Sequence, residues 1–193
     1  MKRIEVTVCG VTPLLMNRMT DEQLLALHTK EKRKFTAPKE PREAAALKVY
    51  QARDGRPYLP TENLMACLIA AGVYIKLDGK RQMSTAKSTL LPGFLTVEDP
   101  YLPLTDGDGR PAAWEVDMRQ GRNPNGGEAV CIIRPRFDTW SLAVSVLIDA
   151  DSIGENVIRE LVDIAGSRIG LGDFRPQRRG IFGKFKVTQW ACG

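Results

Sequence analysis

The feature that most constrains the fold is a run of alternating apolar residues between positions 139 and 148. Successive side chains of a strand point to opposite faces, so an alternating run buries one face and exposes the other. The residues that share the apolar face are Trp140, Leu142, Val144, Val146 and Ile148. A neighbouring run covers residues 130–137, and another covers residues 3–9. These runs predict a sheet with one face packed on a core.

Two amphipathic helices are predicted to supply that core. The first is expected to begin at Thr61, a good N-cap residue, because apolar residues recur at helical spacing after it. The second is expected to begin at the capping-box pair Ser152 and Glu155. The same spacing in Thr20 and Gln23 predicts a further, shorter helix near the start of the chain.

The order of the long elements predicts the fold class. The chain reads strand, insertion, helix, strand or strands, a paired strand, helix, strand, and residues 89–97 can form a strand that is broken at Pro92. This β-α-β-β-α-β order predicts an α+β, ferredoxin-like (RRM-like) fold: an antiparallel sheet with two core helices and loop or helical insertions. We expect residues 1–193 to form a single domain, with an inserted basic segment at about 20–57. One sheet face would remain free for a ligand.

Composition narrows the class of partner. The formal net charge of +5 suggests an anionic partner.

The cysteines and the hydropathy predict the compartment. The four cysteines, Cys9, Cys67, Cys131 and Cys192, are far apart and form no C-x-x-C pair, which predicts a reduced cytoplasmic protein without disulfides or zinc. We find no secretory segment and no apolar run of about 18 residues, so no membrane association is expected. No metal or cofactor is expected either.

The most unusual local composition lies between residues 166 and 186, where five glycines alternate with basic residues. Glycine lets a backbone approach a ligand closely, and arginine suits phosphate oxygens. The basic residues of this stretch are Arg168, Arg175, Arg178, Arg179, Lys184 and Lys186. Phe174 and Phe182 add rings on which bases could stack. The pattern indicates contact with a nucleic acid; the alternative is a solvated, flexible connection that happens to be basic.

Two further sets of basic residues are candidates for the same contact. Lys32, Arg33 and Lys34 lie in a charge run at 30–39, which is either a solvated helix end or a clamp on the strand. Arg134 and Arg136 share one face of the strand at 130–137. They would face the open side of the sheet or lie at its edge.

Two segments resemble the RAMP superfamily of CRISPR proteins, which includes the backbone subunits of effector complexes. One is similar to the family's C-terminal glycine-rich loop: Gly170-Leu-Gly-Asp-Phe-Arg-Pro-Gln-Arg-Arg-Gly-Ile-Phe-Gly-Lys-Phe-Lys186. The other is similar to the entry into the family's first helix: Tyr58-Leu-Pro-Thr-Glu-Asn-Leu-Met65. The chain departs from the family where Arg168 and Ile169 stand in place of a frequent Gly-Gly pair. The resemblance covers most of the chain in outline and about thirty residues in detail.

The resemblance implies a role in antiviral defence as an RNA-binding protein. The expected function is non-enzymatic binding of single-stranded nucleic acid, RNA before DNA, by an oligomer that coats the strand alone or with other effector subunits. In this comparison the run at 30–39 matches the insertion that projects as a thumb.

Three alternatives remain open at this point. A RAMP-like endoribonuclease would use His28, the only histidine, or a lysine for proton transfer. A single-stranded DNA-binding protein of a phage or mobile element would use the same basic loop. An interaction protein would dock that loop on an acidic partner.

Overall fold

The main sheet contains four strands in the order β11, β1, β10, β6, and all neighbouring strands are antiparallel. The structure, a computed structural model, describes residues 1–30, 38–122 and 127–192. The four strands are β1 (Lys2–Gly10), β6 (Leu95–Val97), β10 (Ser141–Ile148) and β11 (Phe185–Cys192). The alternating residues from Trp140 to Ile148 all point into the core, as their spacing predicts.

Two helices cover one face of this sheet. They are α3 (Thr61–Ala71) and α5 (Glu155–Ile164). Leu68 of α3 and Leu161 of α5 are fully buried in the same apolar cluster as Val6 and Val144 of the central strands. Along the chain the main strands and helices follow in the order β1, α3, β6, β10, α5, β11.

Both of these helices begin differently from the prediction. Thr61 is the first residue of α3 and follows the N-cap Pro60; its hydroxyl donates to the backbone oxygen of Asp99 instead of capping the helix. The predicted capping box at Ser152 is wrong, because the N-cap of α5 is Gly154 and no side chain caps it. The chain first makes a turn in which the Ser152 amide donates to Asp149, so the helix starts two residues later than a Ser152 cap requires.

A second sheet lies beside the first, with the strand order β2, β9, β8. Its members are β2 (Leu14–Leu15), β8 (Glu115–Arg122) and β9 (Ala129–Phe137). The run at 130–137 therefore lies in a different sheet from the run at 139–148 and does not pair with it. The reason is that β10 has only two edges, and β1 and β6 occupy them. Strand β9 instead forms a hairpin with β8.

The remaining elements are short. They are α1 (Asp21–Thr29), α2 (Pro41–Ala46), β3 (Tyr58–Pro60), β4 (Lys76–Leu77), β5 (Arg81–Gln82), α4 (Leu91–Phe94) and β7 (Tyr101–Pro103). Four of them form two small sheets, in which β3 pairs with β7 and β4 pairs with β5. The capping box of Thr20 and Gln23 is formed in both directions, as predicted. The expected strand at 89–97 is a short helix, α4, followed by β6, because Pro92 suits the first turn of a helix.

The α+β class is confirmed, with antiparallel sheets and helices in one mixed structure. Within the described ranges, no helix is both long enough and apolar enough to span a membrane.

Candidate nucleic-acid interface

The glycine-rich loop at 170–184 is held in place by backbone hydrogen bonds to the segment that precedes and includes β2. The Asp173 amide donates to the backbone oxygen of Leu15 at 2.8 Å, and the Gly183 amide donates to that of Pro13 at 2.8 Å. Within the loop, the Leu171 amide donates to the backbone oxygen of Gly183 at 2.9 Å. A loop anchored in this way presents its exposed side chains in a defined arrangement, so a flexible connection does not describe it.

Two glycines explain why the loop can pack so closely. Gly183 has φ of 71°, in the left-handed region that favours glycine, and a Cβ there would collide with the backbone oxygen of Leu171. A Cβ at Gly180 would collide with the backbone oxygen of Phe174. The glycines thus allow the loop to fold back on itself; this is a structural reason for their presence that does not involve a ligand.

The turn at the tip of the loop carries the exposed basic residues. Arg178 ends a 3-10 turn, Pro176–Arg178, and Arg179 follows it with φ of 62°. Both side chains are exposed. Arg175, before the turn, is half-buried; its guanidinium donates to the backbone oxygen of Gly172 at 2.8 Å and to Gln177. We define Arg175, Arg178 and Arg179 as the basic turn.

The two phenylalanines of the loop have different environments. Phe174 is 39% exposed, whereas Phe182 is 4% exposed. The guanidinium of Arg119 lies 4.6 Å from the centre of the Phe182 ring and covers it. The expected stacking of Phe182 on a base is therefore corrected, because its ring is part of the interior. Phe174 remains a candidate for stacking.

Arg134 also requires a correction. Its side chain is buried, with Nη2 3.4 Å from Oδ2 of Asp117 and Nη1 2.9 Å from Oδ2 of Asp173. Asp117 is buried as well and accepts from Nε of Arg119 at 2.9 Å. The guanidinium of Arg134 is buried and paired with two carboxylates, so it is not accessible to a phosphate. Arg134 therefore supports the loop instead of contacting a ligand.

Arg136 lies on the same strand and is engaged at the surface. Its guanidinium donates to both carboxylate oxygens of Asp138, at 2.8 and 3.0 Å. This hydrogen bonding raises the pKa of Arg136. Neither expected placement of Arg134 and Arg136, on the open face or the edge of the main sheet, applies, because β9 belongs to the second sheet.

The other predicted contact residues are spread over the surface. Arg168 is exposed, and its guanidinium lies 5.0 Å from the centre of the Tyr74 ring. Lys184 is half-buried, and its backbone pairs with Val11 and Thr12. Lys186 is exposed on β11, opposite Cys9. The predicted clamp residues Lys32, Arg33 and Lys34 lie outside the described residues.

The open face of the main sheet, which the helices do not cover, is poorly suited to binding a polyanion. Its side chains pair with each other: Arg3 donates to Glu98 at 2.7 Å, and Ser145 donates to Glu5 at 2.6 Å. Carboxylates on this face repel phosphates. Trp190 of β11 lies on the other side of the sheet, where its indole nitrogen donates to Glu155 of α5.

Several residues of this region were missed by the sequence reasoning. Arg119 and Arg122 are exposed on β8, the partner strand of the hairpin beside the loop. Lys48 reaches the backbone oxygen of Ile133 at 2.7 Å; burial, with the neighbouring charge of Arg134, lowers the pKa of Lys48. The opposite charges of Asp117 and Arg119 at alternate positions were the available sequence signal for a charged hairpin.

A cleft opens between the loop and the start of α3. Its volume is about 220 Å³. The lining comprises Met16, Asn17, Tyr50, Leu59, Asn63, Ala66, Arg175 and the segment 170–173. Beneath it, Sγ of Cys67 donates to the backbone oxygen of Gly170 at 3.3 Å, and burial raises the pKa of the Cys67 thiol to about 12. A thiol with this pKa is protonated and unreactive at neutral pH.

Among residues 1–30, 38–122 and 127–192, no group of three or more His, Cys, Asp or Glu side chains is placed to hold a metal ion. A comparison with models of known protein families gives no match for this chain, and a search of curated proteins finds no significant relative. The functional conclusion therefore depends on the geometry of the loop, the hairpin and the cleft.

Proposed function

We propose that this protein binds single-stranded nucleic acid, RNA in preference to DNA, without acting on it chemically. The observation that carries this proposal is the basic turn: Arg178 and Arg179 stand exposed on a loop that is anchored at several points. Arginine forks bind phosphate oxygens, and a fixed loop loses little entropy when it does so. Phe174, exposed next to the turn, offers a ring for one base.

The neighbouring hairpin would extend the contact. Arg119 and Arg122 of β8 are exposed on the hairpin that Arg134 ties to the loop through Asp173. In this proposal the basic turn and the hairpin form two sides of a shallow path for the phosphate backbone. Positive charge on both sides of such a path attracts a polyanion and does not depend on base sequence.

A relationship to the RAMP superfamily is part of the same proposal. We include a split β-α-β, ferredoxin-like domain in the proposal, and two observations support it: the strand order β11, β1, β10, β6 and the chain order of the main strands and helices. The glycine-rich loop follows α5 and precedes β11, the position in which it resembles the loop of the RAMP superfamily. The thumb expected at 30–39 falls largely outside the described residues, and it stays a prediction.

A binding measurement with matched variants tests the proposal. Fluorescence anisotropy with a labelled RNA of about 30 nucleotides should show binding that the double variant Arg178→Gln, Arg179→Gln weakens by more than about tenfold. The control double variant Arg53→Gln, Arg110→Gln makes the same change of charge at exposed arginines outside the loop. Equal losses in the two double variants would show that only the overall charge matters. Binding of double-stranded DNA as tight as that of RNA would contradict the single-strand proposal.

Assembly along the strand is the second part of the proposal. If the protein coats RNA, the mass of the complex measured by light scattering at saturating protein should rise in steps as the RNA is lengthened. A one-to-one complex on short and long RNA alike would contradict the coating while leaving simple binding in place.

The nuclease alternative would involve His28, which is exposed on α1. Incubation of labelled RNA with and without EDTA tests this alternative, and intact RNA in both incubations is the expected result.

A further inference from the structure

The cleft beside the basic turn has the shape and chemistry of a small binding site. Three parts of the chain form its walls: Met16 and Asn17 before α1, the first turns of α3, and the loop segment 170–173. At about 220 Å³ it is smaller than the cavities of about 300–1,000 Å³ that hold drug-sized ligands. The size suits a single flat ring system and excludes a base pair.

One wall of the cleft is a fixed set of hydrogen-bonding groups. Nδ2 of Asn17 donates to Oδ2 of Asp173 at 3.1 Å. The same carboxylate accepts from Arg134 at 2.9 Å and from the Phe174 amide at 2.9 Å. Because the amide nitrogen of Asn17 is used in this way, its Oδ1 is left as an acceptor. Asp173 is therefore held by three donors, and Asn17 is oriented by Asp173.

Asn63 provides the second polar group of the cleft. It lies in the first turn of α3 and lines the cleft directly. The residue is half-buried, and within the described part of the chain no hydrogen bond joins its side-chain amide to another residue. An asparagine amide presents a donor and an acceptor side by side, the pattern that complements adenine. Asn63 can thus offer a ligand both a donor and an acceptor, whereas Asn17 offers its Oδ1 as an acceptor.

The remaining walls are apolar or aromatic. Tyr50 and Leu59 line the cleft together with Met16. Tyr50 is held in position because its backbone oxygen accepts from the Tyr58 amide at 3.0 Å and its ring lies 5.9 Å from that of Tyr58. A ring and aliphatic side chains around a polar group match the two surfaces of a nucleobase, its flat faces and its hydrogen-bonding edge.

We propose that this cleft takes one unstacked base of the bound strand, adenine, and pairs its edge with the amide of Asn63. The inference depends on the proposed function, since the base reaches the cleft only when the strand lies on the basic turn. Arg175 lines the cleft and belongs to the basic turn, so it would hold the phosphate attached to that base. The protein then binds any single strand electrostatically and recognises one of its bases by hydrogen bonding.

Homopolymeric RNAs of equal length provide the test. Oligo(A) should bind more tightly than oligo(C) and oligo(U), by about fivefold to 150-fold, because a well-formed pair of hydrogen bonds discriminates by about 1–3 kcal/mol. Asn63→Ala should remove this preference while oligo(U) binding and its salt dependence stay as in the unchanged protein. Asn156→Ala, an exposed asparagine on α5, is the matched control and should keep the preference.

A second variant covers the case in which Asn63→Ala does not fold. Ala66 is exposed in α3 and lines the cleft, so Ala66→Leu would fill it from a position outside the core. It should abolish the preference for oligo(A) in the same way. Equal, salt-dependent binding of the three homopolymers, or a preference for oligo(C) or oligo(U), would overturn the adenine site and leave the proposed function intact. Absence of binding to every RNA would overturn both.

Discussion

Nη1 of Arg134, in the centre of the second sheet, lies 2.9 Å from Oδ2 of Asp173 in the glycine-rich loop. The other side of the same guanidinium meets Asp117, which is buried next to it on β8. The pair connects residues 39 positions apart in the chain. Through it the hairpin sets the position of the loop that carries the basic turn.

Removing this guanidinium should destabilise the protein. Arg134→Ala leaves the carboxylate of Asp117 buried with one fewer partner, and breaking a buried pair typically costs about 3–5 kcal/mol. Urea denaturation should show this loss in the free energy of unfolding. Arg136→Ala, on the same strand, removes a pair with Asp138 at the surface and should cost no more than about 1 kcal/mol. Similar losses in the two variants would show that Arg134 is not the support of the loop.

The packing of the loop predicts a position-specific effect of an added methyl group. Gly180→Ala would place a Cβ against the backbone oxygen of Phe174, and overpacking of this kind costs about 1–3 kcal/mol. Gly107→Ala meets no atom and should change stability by less than about 0.5 kcal/mol. Thermal unfolding of the two variants measures the difference. A neutral Gly180→Ala would mean that the loop opens without cost.

Glu155 makes the stability of the protein dependent on acid pH. Hydrogen bonds from Lys2, and then from Trp190 and Cys192, lower the pKa of Glu155 from 4.5 to about 2. A lowered carboxyl pKa stabilises the fold above the ordinary value of 4.5, and this contribution is lost as the pH falls from there towards about 2.

The variant Glu155→Gln should therefore be less stable than the unchanged protein at neutral pH. The difference in the free energy of unfolding should shrink as the pH is lowered from 4.5 towards about 2. Glu160→Gln removes a carboxylate from an exposed position on the same helix and serves as the matched control. Chemical denaturation at a series of pH values gives the comparison. A gap that widens towards acid pH would contradict the assignment.

The number of phosphates contacted can be read from the salt dependence of RNA binding. If the protein neutralises about four to six phosphates, the slope of log K against log salt should be near −3 to −4 for a single strand. The double variant Arg178→Gln, Arg179→Gln removes two of these contacts and should make the slope shallower by about 1.4. An unchanged slope in this variant would show that neither arginine contacts a phosphate.

The local patterns of the chain were the reliable part of the sequence reasoning. The alternation at 139–148 predicts the buried face of β10, and the pair of Thr20 and Gln23 predicts the start of α1, because each depends on residues within a few positions of one another. The same kind of reasoning failed at Ser152, where a turn competes with the helix for the same residues.

The partners of charged side chains were beyond local patterns. Arg134 and Arg136 are two residues apart on one strand, yet the first is enclosed by carboxylates and the second lies at the surface. Which of them is buried depends on the sheet that β9 joins and on the loop that returns to it, neither of which is encoded near residue 134.

The sequence by itself determined the α+β class, the alternating core strand and the concentration of basic residues in the glycine-rich loop. Only the tertiary structure decided that Phe182 is interior, that Arg134 supports the loop, and that Asn63 meets residues 170–173 across a cleft. The physical reason is the distance along the chain over which each interaction acts. Periodicity and capping depend on residues that are neighbours in the sequence. Burial and ion pairing depend on which distant segments meet, and that is settled when the two sheets pack and β10 has both of its edges filled.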